Sequence, residues 1–181
     1  MKRNNLNGLL LLVCLLVSCS STKIATSRFS ELQNSTLLNG VYQNIPLNIY
    51  TVDSLALPNY KPELYCLLGL LNLTTECDSG SIIRLEFEKK QLIVSYPSIT
   101  TIQEMRIKGE QKKNYFEIYF RRRLIPIPFI YFVQQIERVR IGVNKDSNLT
   151  IQYWEKNFGW VPIMASGTTY DYEFVFERVE E

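Results

Sequence analysis

From Ser81 to the C-terminus the chain alternates apolar and polar residues with a period of two, broken at short intervals by turn-forming residues. A strand sends successive side chains to opposite faces, so the pattern buries one face and wets the other. Ile83, Leu85 and Phe87 alternate with Arg84, Glu86 and Glu88, and Leu92 to Tyr96 returns after the turn Lys89-Lys90-Gln91. Thr101 to Gly109 follows, with Gln103, Met105 and Ile107 facing away from Glu104, Arg106 and Lys108. In Tyr115 to Leu124, Phe116, Ile118 and Phe120 oppose Tyr115, Glu117 and Tyr119; Pro126 and Pro128 then force an edge, bend or turn. Ile130 to Val143 shifts its apolar phase near Gln134-Gln135, where a bulge is expected. Leu149 to Glu155 puts Leu149, Ile151 and Tyr153 on one face, with turns expected at Lys156–Gly159 and Ser166–Thr168. Tyr170, Tyr172, Phe174 and Phe176 close the chain as an aromatic stripe at period two.

Upstream, Leu37 to Asn44 opens the fold and Leu47 to Val52 extends it beyond Pro46. The helix candidate lies between: Pro62 suits a first helical position, Glu63 its positive end, and Leu64, Leu67, Leu68 and Leu71 form an apolar stripe. The expected class is all-β. Eight or nine antiparallel strands in sequential hairpins, with one short helix after the first strand, predict an up-and-down barrel. A two-sheet β-sandwich is the alternative, since alternation alone does not separate the two.

The N-terminus reads differently. Lys2 and Arg3 precede an apolar run from Leu9 to Val17, too short for a spanning helix of ~20 residues. The run ends in Leu16-Val17-Ser18-Cys19, which resembles the lipobox of bacterial lipoproteins. The resemblance implies cleavage before Cys19 and acylation of Cys19; lipoproteins of this class carry enough acyl chains for stable anchoring. Ser20 in place of Asp implies the outer membrane facing the periplasm, with cell-surface display as the alternative. The expected organisation is a signal peptide over 1–18, lipidated Cys19 and a flexible tether over 19–36, and a β domain over 37–181. The Ser- and Thr-rich tether has a root-mean-square reach of roughly 20–25 Å.

Cleaving 18 residues from 181 leaves 163, one ordinary domain able to bury a full core. With Lys2 and Arg3 gone, the 20 basic side chains fall to 18, matching the 18 acidic ones, so nothing points to nucleic acid. The chain has no histidine, which removes the commonest general base and metal ligand; no metal, cofactor or enzymatic activity is expected. Cys14 leaves with the signal, and Cys66 and Cys77 are either a disulfide in an oxidising compartment or two free thiols.

Gly40-Val41-Tyr42 resembles the Gly-x-Trp signature of lipocalins, with Tyr42 in place of Trp, and Arg178 is similar to the arginine that packs over that aromatic residue. The resemblance implies a lipocalin-like barrel.

Within that frame, Arg122 shares a strand face with Phe120 and Leu124, which makes it an inward anion clamp or a rim residue with a snorkelling stem. Tyr42, Tyr170, Tyr172, Phe174 and Arg178 complete a candidate ligand-binding set, the aromatic stripe being either cavity wall or plain core. Trp154, expected to be exposed, joins Phe158 and Trp160 as a candidate partner surface or as cover over the barrel end. Glu86/Glu88 and Asp171/Glu173 are read as outward carboxylates in water, which do no acid–base chemistry. The expected function is a non-enzymatic binding or carrier module, held to the membrane by its lipid, for a small apolar or amphipathic ligand. The alternative is a structural or interaction subunit bound to an envelope protein.

Overall fold

The computed structural model describes residues 35–51, 66–73, 77–78, 80–88, 90–98, 101–127 and 130–179. A 3₁₀ turn, Ser35–Leu38, leads into β1 (Gly40–Gln43) and β2 (Asn48–Thr51). Helix α1 (Leu67–Leu70) precedes β3 (Ile82–Glu88), β4 (Gln91–Pro97), β5 (Ile102–Lys108) and β6 (Glu110–Gln111). The long strands β7 (Phe116–Ile127), β8 (Tyr131–Val143), β9 (Leu149–Val161) and β10 (Met164–Phe176) follow, and β11 (Arg178–Val179) ends the fold.

All pairings are antiparallel and fall into two sheets, β11-β1-β3-β4-β5 and β2-β10-β9-β8-β7-β6. The expected all-β class and sequential hairpins are present. The expected continuous barrel ladder is not: the described strands form two facing sheets, a sandwich-like arrangement. The ladder breaks where the chain bends from one sheet into the other, at 44–47 between β1 and β2, at Gly109 between β5 and β6, and at Glu177 between β10 and β11. Gly109 is required at its bend, because a Cβ there would collide with the Phe116 ring and lie 2.8 Å from the Glu117 carbonyl oxygen.

The inward faces meet in one apolar core. Ile83, Leu85, Phe87, Leu92 and Val94 of the smaller sheet face Phe116, Ile118, Val139, Ile141, Leu149, Ile151, Phe174 and Phe176 of the larger. Helix α1 adds Leu67, Leu68, Leu70 and Leu71, all buried. The helix is a single turn entered from Cys66 in an extended conformation, shorter than the expected stripe; Pro62, Glu63 and Leu64 lie outside the described residues. Cys66 gives no side-chain cap, and buried Asn44 does that work instead: its carbonyl accepts from Leu67 N at 2.8 Å and its Oδ1 from Leu68 N at 3.2 Å. Asn72, at φ 57°, ends the helix in a left-handed turn, with Leu73 N donating to Leu68 O. A disulfide joins Cys66 to Cys77 across a Cα–Cα distance of 5.6 Å.

Strands β8, β9 and β10 have 13 residues and β3, β4 and β5 have 7, so the larger sheet runs to about 40 Å against about 20 Å. Half of it therefore projects past its partner. The turns expected at Lys156–Gly159 and Ser166–Thr168 lie mid-strand, because paired ladders on β9 and β10 override the local turn preference of Asn and Gly. The real turn is Pro162-Ile163. The bulge expected in β8 sits instead on β7, between Tyr119 and Arg121.

Candidate functional site

The core-side face of β9 reads Leu149, Ile151, Tyr153, Glu155 and Asn157, passing from apolar to polar where the smaller sheet stops. On β8 the same face reads Val143, Ile141, Val139, Glu137, and the register sets Glu137 directly opposite Glu155. Tyr153 sits beneath them with its hydroxyl 2.9 Å from Glu155 Oε2 and 3.3 Å from Glu137 Oε1. Asn157 Nδ2 donates to Glu155 Oε1 at 2.8 Å. Tyr170 lies opposite Glu155 on β10, and Arg121 opposite Glu137 on β7. Burial, reinforced by both carboxylates, holds the Tyr153 hydroxyl far above its ordinary range. Tyr153 is therefore a fixed donor, and the two carboxylates it serves are the acceptors of the cluster. Such a platform receives donors: hydroxyls, an amine or an ammonium.

An aromatic ladder leads up to it. The rings of Tyr170 and Tyr172 stack with centroids 6.3 Å apart, and Tyr172 to Phe174 is 6.2 Å. Phe174 is core, Tyr172 is nearly so, and Tyr170 is half-buried beside Glu155. Tyr42 is fully buried; its hydroxyl donates to Leu38 O at 3.1 Å. The Arg178 guanidinium sits 5.9 Å from the Tyr42 ring and donates to Asn39 O at 2.7 Å. Gly40 leaves room for it, since a Cβ there would lie 3.0 Å from the guanidinium. These residues close the end of the fold opposite the platform.

Arg122 is not inward. The bulge at Phe120 resets the phase of β7, so Arg122 pairs with Ile136 and its guanidinium lies over Tyr119, 5.6 Å from the ring, on the outer face. Arg121 and Arg123 take the core-side positions instead. Trp154 is not exposed: it is 8% accessible, lying under the Arg138 guanidinium at 4.5 Å. Arg138 and Arg140 both donate to buried Glu117, at 3.3 and 2.8 Å, and Arg140 also covers Tyr115 at 4.8 Å. Glu86 and Glu88 are exposed as expected, but Glu173 is buried and accepts from Gln152 Nε2 at 3.2 Å. Phe158 is half-buried and Trp160 is exposed; the two lie two register rows apart with Gly159 between them, and Trp154 lies four residues from Phe158 along β9.

The Glu137–Glu155 pair was missed by sequence reasoning, although the signal was present: each carboxylate continues the inward phase of its own strand. Among the described residues no group of three or more His, Cys, Asp or Glu side chains could hold a metal ion, and no helix is long and apolar enough to cross a membrane. Cys19 lies outside the described residues. No family model, no curated protein and no solved structure matches the chain.

Proposed function

We propose that the chain is a lipid-anchored, non-enzymatic binding module of the bacterial outer membrane, attached through Cys19 and facing the periplasm, that takes an amphipathic ligand on the projecting half of its larger sheet. The observation that carries the binding reading is the Glu137–Tyr153–Glu155–Asn157 cluster beside half-buried Tyr170. The ligand's donor-rich head pairs with the carboxylates, and its apolar part lies on the tyrosine ladder. The interior below is filled by Tyr42, Phe116, Tyr153, Phe174 and Phe176, which favours this rim over a deep cavity. The lipobox-like Leu16–Cys19 supports the anchor.

We read the two sheets as one bent, lipocalin-like barrel of eight strands. Supporting this, the first strand pairs with the last in both sheets, β1 with β11 and β2 with β10. The Arg178 guanidinium over Tyr42 supports it too.

Native mass spectrometry of the protein, purified gently from its own envelope, tests the binding reading. A bound small molecule that is lost in Glu155→Gln and Tyr170→Ala is expected. A clean apo mass from folded protein would replace this reading with that of an interaction subunit.

A further inference from the structure

The register of the projecting half orders its residues by distance from the hairpin tips. At the tips stand Ile127, Ile130 and Tyr131 on one hairpin, and Val161, Pro162, Ile163 and Met164 on the other. The next register rows are Pro126, Phe132, Trp160, Ala165; then Ile125, Val133, Gly159, Ser166; then Leu124, Gln134, Phe158, Gly167. None carries a charge. Arg123 enters in the following row, and Arg122 and Lys156 in the one after. Carboxylates first appear with Glu137 and Glu155, one row deeper and level with Arg121. From 120 to 136 and from 156 to 170 the chain has four basic residues and no acidic one.

The apolar end is open to solvent. Ile163 is 94% accessible, Ile130 65% and Met164 64%, with Tyr131 in the tip row and Trp160 one row deeper forming an aromatic collar. Arg123 lies four residues from Ile127, about 13 Å along the strand. That depth matches the passage from an acyl boundary to the phosphate layer, given that interfacial segments bury their apolar face by roughly 5–10 Å. Tryptophan and tyrosine favour the intervening headgroup level, and cations behind them are drawn to anionic lipid.

We infer that the paired tips of β7–β8 and β9–β10 insert into the interface of an anionic lipid bilayer, with Arg122, Arg123 and Lys156 at the level of the phosphates. This is a second membrane contact, separate from the lipid on Cys19 and from ligand binding at Glu137 and Glu155. A protein partner is disfavoured by the ordered sequence of apolar tip, aromatic collar and cations, which mirrors the layers of a bilayer surface.

The chain has two tryptophans, Trp154 and Trp160, so fluorescence reads the tip directly. The full chain is mixed with an excess of vesicles of phosphatidylcholine and phosphatidylglycerol whose acyl chains carry bromine. Expected are a blue shift and quenching that persist in Trp154→Phe and vanish in Trp160→Phe. Ile163→Asp, at a position with no packing to lose, abolishes the quenching while near-ultraviolet circular dichroism stays unchanged. Arg122→Gln and Lys156→Gln each lower the insertion constant about fivefold. Unquenched Trp160 in folded protein overturns the inference, including where Trp160 crosslinks to a protein instead. Equal quenching in vesicles of phosphatidylcholine alone overturns the role given to the cations. The ligand reading stands or falls separately, on the native mass.

Discussion

The buried hydroxyls of Tyr42 and Tyr153 donate to a named carbonyl and to named carboxylates, and their removal is measurable. Tyr42→Phe leaves the Leu38 carbonyl without the donor it has at 3.1 Å and costs about 1 kcal/mol in urea denaturation. Tyr153→Phe deprives two carboxylates of a donor and costs about 1.5–3 kcal/mol, the range for bonds to charged groups. Both tyrosines titrate above their ordinary value of 10.0, Tyr42 because burial outweighs the nearby Arg178 and Tyr153 because burial adds to its carboxylates. A raised folded value means that above about pH 10 the unfolded chain gives up a proton which the folded chain keeps. Stability is thus unaffected by these groups below that pH and falls as pH rises beyond it. Denaturation midpoints measured across alkaline pH in wild type and in Tyr42→Phe should diverge, the variant losing less. At this scale the sequence was legible where alternation held: Tyr42, Phe174 and Phe176 face inward as their phase demands. It misled at Arg122, because one extra residue at Phe120 inverts the phase and nothing in the residue types announces it. Trp154 misled for a different reason: its face is wet by pattern, yet the Arg138 guanidinium covers it.

Strands and helix obey the same local rules with different success. Hairpin order was readable from the period-two runs and turn residues. The length of β9 and β10 was not, because Lys156–Gly159 and Ser166–Thr168 have turn composition and are held extended only by each other. The sheet-to-sheet bends leave a sharper trace. Gly109→Ala pushes a Cβ into Phe116 and should destabilise by about 1–3 kcal/mol, more than the same change at Gly159, where the nearest atom is 4.0 Å away. Helix α1 depends on Asn44 and on the disulfide from Cys66 to Cys77, a sequence separation of 11. Replacing both cysteines by alanine should cost about 3 kcal/mol in the chain-entropy model, and adding reductant to wild type should reproduce that loss.

Among the described residues the molecule has one end that is close-packed and one that is a single sheet layer. Cooperative stability follows buried contacts. Amide exchange should therefore be slow over 139–143, 149–153 and 172–176 and faster over 120–127, 131–136, 156–161 and 164–169. Uniform protection along the long strands would contradict that division. A sheet exposed on both faces also explains why the composition alone gave no warning of it: the same apolar residues that fill cores elsewhere, here isoleucine, proline and methionine, are placed at hairpin tips.

The tip and the chain's entry lie at opposite ends of the larger sheet, Ile163 at one and Leu38 with Asn39 at the other. That separation, about 40 Å, makes the proposed pairing of acylated Cys19 with the inserted tip a question of reach. Sixteen peptide steps from Cys19 to Ser35 span at most about 55 Å, so with Cys19 acylated as proposed one bilayer can hold both ends with little slack. Within that reach the tip meets lipid at an effective concentration set by the strap rather than by diffusion, and an affinity too feeble to recruit a free protein suffices to keep it seated. Shortening the strap by several residues would forfeit this advantage without altering either contact.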